Sequence, residues 1–179
     1  MTRDPRLDLA LRRDRGRRLV SEWLARFRTA AELPPSFENF VGLEETERLK
    51  QRFVERLRSG VSINKYSLPA HLHEPMFAQL KLRSAVGPAR VILFSNVDQY
   101  IGAVYVPSDV VLSHAKEMWD LVGEDLSMCS DDLSDGLCLE LNYYDDAGRY
   151  VADGVYQVAG WGAFSTLPEM IAALYRTSF

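Results

Sequence analysis

The chain is short of the residues from which many active sites are built. It has only two cysteines, Cys129 and Cys138, which excludes a disulfide framework and a four-thiolate zinc site. Each reads instead as a small buried apolar residue. Three histidines leave little material for metal ligation. The longest apolar runs, Val91 to Phe94 and Ile101 to Val106, fall far below the roughly 20 residues that cross a bilayer, so no membrane span is expected. The basic stretch from Arg12 to Arg18 is followed by mixed amphipathic sequence and not by the apolar segment of a secretory signal, which places the expected location in the cytoplasm. Also missing are a G-x-S-x-G elbow, a P-loop, a dinucleotide fingerprint and an H-E-x-x-H helix.

Charge is present but unevenly spread. The net charge is −4, yet residues 1–60 hold 14 Lys and Arg against 10 Asp and Glu, whereas residues 61–179 hold 7 against 15. Between Val91 and Gly154 only Lys116 and Arg149 face 13 acids, a net of −11. A surface of that sign repels nucleic acid and draws basic partners. The N-terminal arginines are interleaved with Asp4, Asp8, Asp14 and Glu22, a mixture that suits salt-bridged helix faces better than phosphate contacts.

Periodicity divides the chain into a helical part, residues 1–60, and an α+β core, residues 88–179, within one domain of 179 residues. Leu7, Leu11, then Leu19, Val20, Trp23, Leu24 and Phe27 recur at three- and four-residue steps and mark an amphipathic helix from Leu7 to Ala31, stopped by Pro34 and Pro35. A second helix is predicted from Leu43 to Arg58, with Ser59-Gly60 as its stop. From Val61 to Pro88 the prolines suggest loop with one helical piece near Met76 to Arg83. Arg90–Ser95 and Ile101–Val106 read as two strands joined by a short turn. Val110, Val111, His114, Ala115, Met118, Trp119 and Val122 then form the stripe of one helix that Gly123 ends. A short strand is expected at Leu126–Cys129. Leu137–Tyr144 alternates, with Leu137, Leu139, Leu141 and Tyr143 expected to face the core, and pairs antiparallel with Val155–Trp161. A last helix follows Thr166-Leu-Pro-Glu169, a capping box. The fold class expected is α+β, with N-terminal helices followed by a mainly antiparallel sheet and packed helices.

The candidate constellations are weak as chemistry. His71, His73 and Glu74 are candidate metal ligands, and His71 and His73 would share a side of an extended backbone, but a third ligand at motif spacing is missing. Asp131 to Gly136 fails as a calcium loop, because Leu133 and Asn142 fall where an oxygen ligand and a bidentate Glu are required. No metal and no cofactor are expected. His114 reads as a core or boundary histidine, and Gly160-Trp161-Gly162 as a bend. Glu140, on a strand among many acids, is the residue a carboxylate-based hydrolase or transferase would use.

The most suggestive feature is acids mixed with tyrosines: Asp131, Asp132 and Asp135, then Tyr144, Asp145 and Asp146, then Tyr150. Tyrosine gives contact area with a polar tip, and acids steer a basic partner toward it. The stretches GLCLELNYYDD from Gly136 and DGVYQVAGWG from Asp153 resemble the small acidic immunity proteins that bacteria make against contact-dependent or polymorphic toxins. The resemblance implies a cytosolic protein that covers a toxin domain and needs no catalysis of its own. The expected function is therefore a protein-binding inhibitor of a basic toxin domain such as a nuclease. The rivals are a small enzyme using a sheet carboxylate and an interaction module, a homo-oligomer built through the N-terminal helix.

Overall fold

The computed structural model describes residues 5–34, 36–123, 125–144 and 148–177. Two helices come first, α1 (Pro5–Ala30) and α2 (Leu43–Ser59). Strand β1 (Asn64–Pro69) leads through a 3-10 turn into α3 (His73–Leu82). Then come β2 (Arg90–Leu93), the single turn α4 (Asp98–Ile101), β3 (Val104–Pro107), α5 (Ser108–Ser113) and α6 (Ala115–Val122). Strands β4 (Asp125–Cys129), β5 (Gly136–Tyr144) and β6 (Tyr150–Trp161) precede the final α7 (Leu167–Thr177). The fold is α+β. The six strands among the described residues form one sheet in the order β1-β6-β5-β4-β2-β3, and every neighbouring pair is antiparallel.

Alternation along the strands separates two cores. One sheet face carries Leu93, Val104, Met128, Leu139 and Val158 into a large cluster with helices of that side, including Trp23, Leu24 and Phe27 of α1. Trp23 and Phe27 stack with ring centroids 5.0 Å apart, which explains why the four-residue step in this helix is aromatic. The opposite face presents Ile92, Phe94, Cys129 and Trp161 to Leu49 and Phe53 of α2. Phe53 meets both Phe94 and Trp161 at 5.3 Å.

Four sequence expectations are corrected. Strand β1 replaces the expected loop: Leu68 is buried and the whole segment pairs with β6, from Asn64 opposite Gly160 to Pro69 opposite Val155. Proline is tolerated there because β1 is an edge strand. The link between β2 and β3 is not a turn but α4, and it takes Ile101 out of the strand. Gly102 then reverses the chain at φ +89°, where a Cβ would lie 2.0 Å from the Val41 carbonyl oxygen. The helix expected over residues 108–122 is two, broken at His114, whose backbone leaves helical geometry at φ −116°, ψ 31°. His71 and His73 do not lie on extended backbone, since one is in the 3-10 turn and the other opens α3.

Helix ends follow local chemistry. Gly60 and Gly123 adopt left-handed conformations after α2 and α6, as a side-chain-free residue can. Helix α2 has Glu44 and Glu45 in its first turn and Arg56 and Arg58 in its last, matching the helix dipole. It is tied to α4 by Lys50, whose Nζ donates at 2.9 and 3.0 Å to the two oxygens of Asp98, a carboxylate only 2% exposed.

Candidate functional site

The hairpin of β5 and β6 runs in register from Gly136 opposite Trp161 to Asn142 opposite Val155. Beyond Asn142 the register shifts, and Tyr144 pairs with Tyr150. Gly154, at φ +76° beside Leu141 and the Asn142 carbonyl, sits at that irregularity. Bulges re-aim the side chains around them. Here the shift overturns the expectation that Tyr143 is core: Tyr143 is 47% exposed, Tyr144 61% and Tyr150 67%. The rings of Tyr144 and Tyr150 meet edge to face at 5.9 Å. Three tyrosines are thus gathered at one end of the sheet. Asp145 and Asp146, which join them in sequence, lie outside the described residues.

Asp131, Asp132 and Asp135 lie elsewhere. They occupy the loop between β4 and β5, at the opposite end of the nine-residue strand β5, about 27 Å from Tyr144 at the usual rise per residue. Their carboxylates are occupied in shaping that loop. Asp132 accepts from the Ser134 backbone N–H and from the Ser130 hydroxyl, each at 2.9 Å. The Ser134 N–H, with the Ser134 and Ser130 hydroxyls, holds this carboxyl at about 2. Asp135 Oδ1 accepts from the Ala163 N–H at 2.7 Å, fixing the turn after β6. The carbonyl of Leu133, a buried residue at φ 63°, accepts from Trp161 Nε1 at 2.9 Å. Asp131 accepts from Arg90 at 3.1 Å, and Arg90 lies over the Tyr105 ring. The hydrogen bond between Tyr105 and Asp131 raises the phenol's pKa. The structure therefore splits the acidic and aromatic candidates into a rigid loop at one end of β5 and an exposed tyrosine cluster at the other.

The histidines have local roles. His73 Nδ1 is hydrogen-bonded with the Tyr156 hydroxyl and packs edge to face on Phe77, at 4.8 Å. Glu74 pairs with Lys116, which lowers the carboxyl's pKa and raises the ammonium's. Among the described residues no group of three or more His, Cys, Asp and Glu is placed to hold a metal ion.

One feature that sequence reasoning missed lies beside α2. Lys50, Phe53, Val54, Leu57 and Arg58 recur at three- and four-residue steps along one flank of that helix and form one wall of a cavity of about 600 Å³. The sheet forms the floor with Ser127, Cys138 and Ala159, and Asp125, Glu140, Gln157 and Lys65 rim it. Cys138 is pushed up to about 11 by burial, against the Ser127 hydroxyl bonded to its sulfur at 3.4 Å. Glu140 was legible as a strand carboxylate on the face away from the leucines. The 50, 53, 54, 57, 58 stripe was present in the sequence too, but only the topology shows which strands it faces.

No family model, no curated protein and no solved structure matches the chain.

Proposed function

We propose that the chain is a protein-binding inhibitor of a basic partner, an immunity protein for a toxin domain such as a nuclease, acting in the cytoplasm. The contact surface in this reading is the end of the β5–β6 hairpin. The observation that carries it is the three exposed tyrosines at that end, Tyr143 at 47%, Tyr144 at 61% and Tyr150 at 67%, whereas Trp23, Phe27, Phe53, Phe94, Trp119 and Trp161 are buried. Exposed aromatic patches rimmed by polar groups mark protein interfaces, and tyrosine is among the residues that dominate their energetics. Asp145 and Asp146 between these tyrosines, and the surplus of acids from Val91 to Gly154, supply the field that steers a basic protein toward them. Asp131, Asp132 and Asp135 contribute to that field from the far end of β5 while shaping their own loop.

Acids and tyrosines should separate kinetically. Replacing Asp145 and Asp146 with Asn is expected to slow association with the partner by roughly 10-fold at low salt, an effect that added salt removes. Tyr144→Ala, with Tyr150→Ala, is expected to act on dissociation, costing on the order of 2 kcal/mol for a central anchor, about 30-fold in Kd. Folded variants with unchanged rates would place the interface elsewhere. A second reading, a small enzyme using a sheet carboxylate, draws on one observation: Glu140 rims the cavity beside α2.

A further inference from the structure

The cavity beside α2 has a chemical pattern of its own. Phe53, Val54 and Leu57 give it an apolar wall, continued by Phe94 and Ile63, and Phe53 and Phe94 already meet edge to face at 63°. Its volume of about 600 Å³ lies in the range of small-molecule sites. Charges of both signs stand on its rim. Lys50 is engaged by the buried Asp98. Among the described residues, however, Glu140, Lys65 and Arg58 make no ion pair. Three unpaired charges around one partly apolar cavity are what a ligand carrying both signs would satisfy.

The sheet register sets the spacing. Glu140 lies opposite Gln157, and Lys65 opposite Ala159, so the two charged residues are two strands apart and displaced by two residues along them. At the usual strand spacing and rise, their Cα atoms are about 12 Å apart. An ammonium and a carboxylate held about 3 Å apart on one carbon, with a hydrogen bond of about 2.9 Å at each end, span about 9 Å. The remaining difference is within what side chains leaning inward close. Glu140 and Asp125 both raise the pKa of the Cys138 thiol at the floor and Lys65 lowers it, so charges of both signs act on that part of the cavity.

We infer that this cavity binds a large apolar α-amino acid as its zwitterion, with the ammonium on Glu140, the carboxylate on Lys65 and Arg58, and the side chain against Phe53, Leu57 and Phe94. The site lies apart from the hairpin end and does not depend on the proposed protein partner. Calorimetric titration of the full chain with L-tryptophan and L-phenylalanine tests it, alongside N-acetyl-L-tryptophan, which lacks the ammonium, and tryptamine, which lacks the carboxylate. Each missing charge removes charge-assisted hydrogen bonds, so both analogues are expected to bind at least about 10-fold more weakly than tryptophan. Glu140→Gln should weaken tryptophan by about 10-fold and leave N-acetyl-tryptophan unchanged. The double variant Lys65→Met, Arg58→Met should weaken tryptophan similarly and leave tryptamine unchanged. All three positions are on the surface or rim, so folding is checked by circular dichroism. No binding of either amino acid by about 10 mM, analogues as tight as tryptophan, or variants with unaltered affinity would overturn the assignment.

Discussion

Asp132 connects a single carboxylate to a measurable pH dependence. Hydrogen bonds from Ser134 and Ser130 hold its pKa at about 2, below its ordinary 3.8. A group with a depressed folded-state pKa contributes its stability fully above the ordinary value, and loses it as pH falls through the folded one. Denaturant unfolding of the wild type and Asp132→Asn between pH 5 and pH 2 should therefore show the wild type's advantage shrinking from about pH 5 and mostly lost by about pH 2. A difference that does not vary with pH would mean that the Ser130–Asp135 loop is held by other contacts. The same residue illustrates what sequence could and could not show. Its acidity was plain, but an acid on a partner-binding surface and an acid that closes a turn with its own neighbours look alike until the Ser134 N–H is seen pointing at it. Tyr143 erred for a related reason. Alternation assigns it to the core side with the leucines, and a register shift that begins one residue earlier turns it to solvent.

At the scale of elements, periodicity was a good guide where one face is buried and a poor one where backbone geometry decides. The strands β5 and β6, the helix α2 with its Gly60 stop, and the helix α1 with Trp23, Leu24 and Phe27 on one face were all legible. Strand β1 was not, because an edge strand with Lys65 and Pro69 and only one fully buried residue has little alternation to read. The break at His114 was hidden as well, since the apolar stripe continues across it into α6. Helix α2 covers the second face of the sheet and also walls the cavity, so its anchorage matters to both. Lys50→Met leaves the buried Asp98 carboxylate without its cation and is expected to destabilise the fold by roughly 1–3 kcal/mol in urea unfolding. Adding Asp98→Asn to that variant should recover part of the loss, because the uncompensated charge is removed. A double variant less stable by the full sum of the two single changes would show that the pair is not coupled.

For the whole molecule, charge and shape answer different questions. The concentration of acids between Val91 and Gly154 was visible in the sequence and argues for a basic partner; where such a partner would sit was not visible, because residues thirteen apart, Asp131 and Tyr144, lie at opposite ends of one strand. The cavity beside α2 escaped notice for the same reason, as most of its lining comes from one helix and four strands that only the order β1-β6-β5-β4 brings side by side. The central claim is that the tyrosine end of the hairpin holds a basic protein. Its most direct measurement is a quantitative capture from extracts of the source cell, with wild-type protein and the Tyr144→Ala, Tyr150→Ala double variant immobilised in parallel and the bound proteins identified by mass spectrometry at low and high salt. The expected result is one basic protein, or basic toxin domain, retained by the wild type at low salt, weakened by salt and depleted at least about 10-fold on the variant. Equal retention by the two proteins, or an enriched partner that is acidic, would contradict it.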